Sequence, residues 1–155
     1  MAKRERFWDK SYFEGVIGFV PGDHTLLQAA PTVGYHFAST LSVGAGPNVL
    51  IREENKKMIT TVGLKVFSKV ELFKRQGYLQ FEDIMDSYST GVSESHKRSI
   101  FEQHHVYAGG GWLLTIAAPV SLNFSILYGF NSTAVPGEFS PFVFRIGISS
   151  IKSKK

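Results

Sequence analysis

The sequence predicts an all-β fold, an eight-stranded antiparallel up-and-down transmembrane β-barrel whose apolar face is turned to lipid. Three observations predict it. Eight segments alternate apolar residues with small or polar ones at period two. Phe (13), Tyr (6) and Gly (15) are abundant while only 19 % of residues are charged, a composition that favours strands over helices. The non-apolar face of the segments is built from Gly, Ser, Thr, Asn and Gln, not from the lysines and glutamates of a water-facing sheet.

The segments follow in order. Ser11–Val20 sets Phe13, Ile17 and Phe19 against Glu14 and Gly18. Thr25–Phe37 sets Leu27, Ala29, Pro31, Val33, Tyr35 and Phe37 against Gln28, Thr32, Gly34 and His36, and Leu41–Ile51 sets Val43, Ala45, Pro47 and Val49 against Ser42, Gly44, Gly46 and Asn48. Met58–Leu72 is weaker, with Val62, Leu64, Val66 and Val70 facing away from Gly63, Lys65 and Lys69. Gly77–Tyr88 places Leu79, Phe81 and Met85 opposite Gln80, Glu82 and Asp86, and Ile100–Leu114 places Val106, Ala108, Trp112 and Leu114 opposite His105, Tyr107, Gly109 and Gly111. Val120–Phe130 alternates Leu122, Phe124, Ile126, Tyr128 and Phe130 with Ser121, Asn123, Ser125 and Gly129. The last segment, "SPFVFRIGISS" and Ile151, alternates Phe142, Phe144, Ile146 and Ile148 with Val143, Arg145, Gly147 and Ser149. Such alternation puts each set on its own face of a strand.

Most segments run to roughly 9–13 residues, against about five or six in soluble sheets. Connections alternate too: short at 38–40, 73–76 and 115–119, longer and more polar at 52–57, 87–99 and 131–139, with 21–24 the exception. The chain divides into a basic N-terminal segment (1–10), one barrel domain (11–151) and a basic C-terminal tail (152–155). The modest net charge of +4 sits largely in those ends, which are expected to be solvated and not to bind nucleic acid.

Two constructions use an eight-stranded up-and-down barrel. A soluble lipocalin-like binder keeps its apolar face inside around a greasy ligand; an outer-membrane barrel shows that face to lipid. Gly18, Gly34, Gly44, Gly46, Gly63, Gly109, Gly111, Gly129 and Gly147 all fall on the non-apolar parity. Glycine weakens a solvated strand, but a narrow lumen needs small residues, so the membrane construction is preferred. Phe13, Phe19, Tyr35, Phe37, Phe81, Trp112, Phe124, Tyr128, Phe142 and Phe144 then face lipid. Charges on the inner parity need partners. We expect a lumenal network pairing Glu14 with Arg145 and Glu82 with Lys65 and Lys69, acting as a plug.

Asp83 shares its parity with Phe81 and Met85, which aims a carboxylate at lipid. A β-bulge that re-aims it is the expectation; a second outer-membrane protein packing there would also satisfy it. The polar loop that follows, with Glu94, His96, Lys97 and Arg98, is the expected exposed contact surface.

The stretches "FWDKSYFEGVIGF", "APTVGYHFASTLSVGAGP", "VYAGGGW" and "SPFVFRIGIS" together resemble the small eight-stranded outer-membrane barrel proteins of Bacteroidota-type bacteria, over nearly the whole of 7–150. That resemblance implies a bacterial outer-membrane location and no particular activity. Members are made with a cleavable signal peptide; no apolar leader core follows "MAKRER", so the leader is expected to have been removed. Such barrels also tend to end on an aromatic residue, whereas this chain ends "SSIKSKK", with Ile151 in that place or the tail altered.

Chemistry-bearing motifs are sparse. The chain has no Cys, and adjacent His104 and His105 face opposite ways in a strand, so no metal or cofactor is expected. The glycine runs at 44–46 and 109–111 lie within strands with no helix following, unlike phosphate loops. No serine is marked as a nucleophile, and no catalytic residue is assigned. The expected role is a non-enzymatic structural or accessory component of the outer membrane, in contact with lipid and with a further outer-membrane protein in a larger complex. A lipid-modifying barrel enzyme and the lipocalin-like binder are the alternatives.

Overall fold

A computed structural model of the chain describes residues 7–20, 26–54, 57–73, 76–90, 103–117, 119–130 and 141–150. A 3-10 turn at Phe7–Asp9 precedes β1 (Ser11–Val20), β2 (Leu26–His36), β3 (Leu41–Glu54), β4 (Lys57–Leu72), β5 (Gly77–Thr90), β6 (Gln103–Ala117), β7 (Val120–Gly129) and β8 (Phe142–Ser150). Each strand pairs antiparallel with the next, and β8 pairs with β1. Closure leaves no sheet edge, and every ladder hydrogen bond is made between strands, as a bilayer requires. Where a longer loop was expected at 52–57, β3 and β4 continue as a hairpin down to the Glu54–Lys57 pair.

The register tilts the strands. A row drawn across the sheet from Ser11 runs through Tyr35, Val43, Ser68, Phe81, Ala108 and Tyr128 to Phe142. It does not return to Ser11, because the closing seam joins Phe144 to Phe19. Each circuit therefore climbs the barrel, the stagger that accompanies strand tilt. A row across the sheet is not a level plane, and this decides which lumenal charges meet.

The two faces are inverted relative to a water-soluble barrel. Outside, Phe13 (60 %), Ile17 (66 %) and Trp112 (52 %) are exposed, as are Phe19, Phe37, Phe81, Phe124, Tyr128, Phe142 and Phe144. Tyr35 is half-buried because Phe7 of the N-terminal turn stacks on it at 5.0 Å. Inside, Lys65 and Glu82 have no exposed surface at all. An aqueous environment for the outer face would leave an apolar patch wrapping the whole molecule, which soluble monomers do not carry. The lipocalin-like construction, with apolar residues inward, is thereby replaced by the membrane one.

Glycine makes the lumen fillable. Four inward aromatic rings each lie over a glycine directly across the ladder: Tyr12 over Gly34, Phe67 over Gly44, Tyr78 over Gly111 and Tyr107 over Gly129. A Cβ on Gly34 would come within 2.2 Å of the Tyr12 ring. The ring lies flat against the wall only because its neighbour has no side chain. Opposite, at the tight β4–β5 turn, Phe73 takes a left-handed backbone (φ 49°). Its ring stacks outward against Trp112 at 6.2 Å.

Candidate functional site

Two polar clusters stand out against this scaffold, one inside the barrel and one outside. The inner one begins at Glu82 of β5. Its carboxylate accepts from Lys65 of β4 at 3.1 Å, from Arg145 of β8 at 2.5 Å and from Gln80 Nε2 at 2.7 Å. Arg145 Nε donates to Gln28 Oε1 of β2 at 3.0 Å, and Gln28 Nε2 donates to Asn48 Oδ1 of β3 at 2.5 Å. A continuous polar chain thus spans the lumen from one wall to the other. The Arg145 guanidinium also lies 5.7 Å from the Tyr107 ring.

A second pair sits nearer the tight-turn end, where Lys69 Nζ donates to Glu14 Oε2 at 2.7 Å and lies 4.4 Å from the Tyr78 ring. His36 and Glu71 approach to 3.7 Å there, and Tyr12 shares a hydrogen bond with Ser42 at 3.1 Å. The cavity among Tyr12, Glu14, His36, Lys69, Glu71, Leu113 and Ser149 is about 10 Å³, room for no more than one water. Among the described residues, the buried lumenal charges are Glu14, Glu71 and Glu82 against Lys65, Lys69 and Arg145. Equal numbers of each sign leave these buried charges with no formal excess of either.

The five residues expected in the lumen are all there, but they pair differently. Glu14 meets Lys69 and not Arg145; Glu82 meets Lys65 and Arg145 and not Lys69. The seam register explains the first change. Glu14 is opposite Ser149, whereas Arg145 is opposite Gly18, four residues along, a separation of about 13 Å at strand rise. Strand tilt explains the second. The row of Phe13 passes through Val33 and Ala45 to Val66, beside Lys65, but that row climbs. The lysine level with Glu14 is the one nearer the tight turn, Lys69.

The outer cluster is smaller. Asp83 is register-paired with Val66 on β4 and Val106 on β6, and no bulge re-aims it. The irregularity lies further along β5, where Val62 faces Tyr88 but Gly63 faces Asp86, so the extra residue is Ser87. Asp83 therefore keeps its outward aim, between Phe81 and Met85. Its Oδ2 is 3.0 Å from His104 Nδ1 on the diagonal of β6. Sequence reading had separated these two residues because only the β5–β6 register joins them. Glu94, His96, Lys97 and Arg98, the expected loop contacts, lie outside the described residues.

Sequence parity also underused several lumenal fillers: Tyr12, Phe67 and Tyr78 share the inner parity of their strands with the charges they contact. The signal was there, in large residues alternating on the same face as glycines.

No family model and no curated protein matches the chain. Among solved structures it is similar to a chain described as "De novo design of transmembrane beta-barrels", at 14 % identity and a TM-score of 0.52, over 92 % of this chain and 94 % of that one. At that identity the likeness is one of architecture, and it agrees with the inverted faces: the fold is that of an eight-stranded antiparallel transmembrane β-barrel.

Proposed function

We propose that the chain is a bacterial outer-membrane barrel with a filled lumen, acting as a non-enzymatic structural or accessory component of a larger membrane assembly. One observation carries the first half: the Lys65–Glu82–Arg145–Gln28–Asn48 chain crosses the lumen wall to wall. A lumen closed by buried ion pairs offers no water-filled path, so transport is not its work. The outer-membrane assignment is supported by the family resemblance of the sequence. The outward Asp83–His104 pair supports a protein neighbour, because acyl chains offer no hydrogen-bond partner to its half-exposed imidazole.

A lipid-modifying reaction draws less support. Asp83 and His104 have the acid–base half of a hydrolytic site, but the outward hydroxyl beside Asp83, that of Ser68, is on β4, whereas His104 is on β6 with β5 between them, too far for the imidazole to take its proton.

Gel migration and conductance test the reading together. The protein refolded in detergent is expected to migrate differently before and after boiling, because a closed barrel resists unfolding by cold detergent. Inserted into a planar bilayer, it is expected to give no stepwise ion current. Monodispersity in plain buffer without detergent would overturn the membrane assignment, and resolved current steps would overturn the filled lumen.

A further inference from the structure

We infer that the tight-turn end of the barrel is a collar that binds the headgroups of anionic phospholipids, with the Phe7–Asp9 turn as its anchor. The inference rests on the membrane-barrel reading above and goes beyond it by naming the lipid class and the end of the barrel that takes it.

Topology brings the parts together. Eight antiparallel strands put both ends of the barrel domain on the same side as the β2–β3, β4–β5 and β6–β7 turns. The two ends leave the barrel side by side, since Phe13 of β1 pairs with Ser150 of β8 across the closing seam. Residues 1–10 and 152–155 carry seven Lys and Arg against Glu5 and Asp9, more than the whole net charge of +4. Arg6 adjoins Phe7, and Lys152 is two residues past Ser150, so neither lies more than about 7 Å of chain from the rim. That is inside the roughly 10 Å over which exposed charges act at ordinary salt.

The anchor is held on the lipid-facing wall. Phe7 stacks on Tyr35 of β2 at 5.0 Å, and Trp8 packs edge-on to Phe7 at 5.6 Å. His36 N donates to Lys10 O at 2.9 Å and Ser11 Oγ to Phe7 O at 3.0 Å, which ties the turn to β2 and closes it. Even so, Phe7 and Trp8 stay 60 % and 63 % exposed. Around the same rim Phe37, Phe73 and Trp112 are exposed as well. Such rings sit at the headgroup level of a bilayer, and the indole N–H of a Trp meets water there while its body meets lipid. The chain therefore enters the turn at the depth of the lipid phosphates. Lys and Arg brought there are attracted by an anionic headgroup and far less by a zwitterionic one.

Both tryptophans, Trp8 and Trp112, lie at this end, so their fluorescence reports the lipid that touches it. The full chain is refolded into mixed phosphatidylcholine and phosphatidylglycerol vesicles in which an equal mole fraction of one lipid or the other carries bromine on its acyl chains. Bromine quenches an indole that it touches. At low salt, brominated phosphatidylglycerol is expected to quench about threefold more than brominated phosphatidylcholine, and in about 1 M salt the two are expected to quench equally. The variant Lys3→Gln, Arg4→Gln, Arg6→Gln, Lys152→Gln, Lys154→Gln and Lys155→Gln is expected to lose the preference at low salt while keeping its heat-dependent migration. Equal quenching of the parent chain by both lipids at low salt overturns the collar and leaves the two ends solvated. A preference that survives high salt or the glutamine variant overturns the role of the charged ends. Loss of the migration shift in the parent chain would instead count against the membrane-barrel reading, so the two failures are separable.

Discussion

Glu82→Leu is expected to destabilise the barrel by about 3–5 kcal/mol, enough to shift or abolish its urea unfolding transition in detergent. Among the described residues, Glu82 is the carboxylate that Lys65 and Arg145 share, and their side chains are 0 % and 1 % exposed. Removing it leaves two buried cations facing each other with no counter-charge. Solvent cannot reach either one, and desolvated charge is costly unless paired. The triple variant Glu82→Leu with Lys65→Met and Arg145→Met is expected to recover most of the loss, since apolar side chains of similar volume often replace a buried ionic group at little cost. Intrinsic fluorescence of Trp8 and Trp112, together with the heat-dependent gel shift, would follow the transition. A Glu82→Leu protein as stable as the parent would mean that water penetrates the lumen and that the plug is not closed.

Gly109→Ala and Gly15→Ala are expected to move stability in opposite directions, although both replace a strand glycine by the same residue. A Cβ on Gly109 would lie 2.1 Å from Ile126 O and 2.7 Å from Leu127 Cα. Both are backbone atoms of β7, so the wall itself must give way, and a cost of about 3 kcal/mol is expected from such overpacking. Gly15 points outward, and a Cβ there meets nothing within 4 Å. Alanine at that site restricts the unfolded chain without a clash and adds apolar surface toward lipid, for an expected gain of about 0.5–1 kcal/mol. The same urea titration reads both variants. Two equal shifts would mean that strand propensity, and not lumenal space, sets the glycine positions.

These expectations show how far the chain could be read before its structure. Parity was legible: from Phe13 through Ile148, each large apolar side chain assigned to the outer face is found there. The inward aim of Glu14, Lys65, Lys69, Glu82 and Arg145 was legible as well. What could not be read was which of them touch. Asp83 is the instructive case. Its outward aim looked wrong for a carboxylate, and a bulge was expected to correct it. The structure places that bulge at Ser87 and answers Asp83 with His104, a residue 21 positions away in sequence.

The sequence by itself determined that this chain is β throughout, how many strands it has, and which face of each is apolar. Strand alternation is a local property with period two, written in neighbouring residues. Only the tertiary structure decided that Lys69 belongs to Glu14, that Arg145 belongs to Glu82, and that His104 meets Asp83. Those pairings depend on the stagger at which the sheet closes on itself. Closure is set by the packing of rings over glycines around the whole circuit, a condition that no single strand contains.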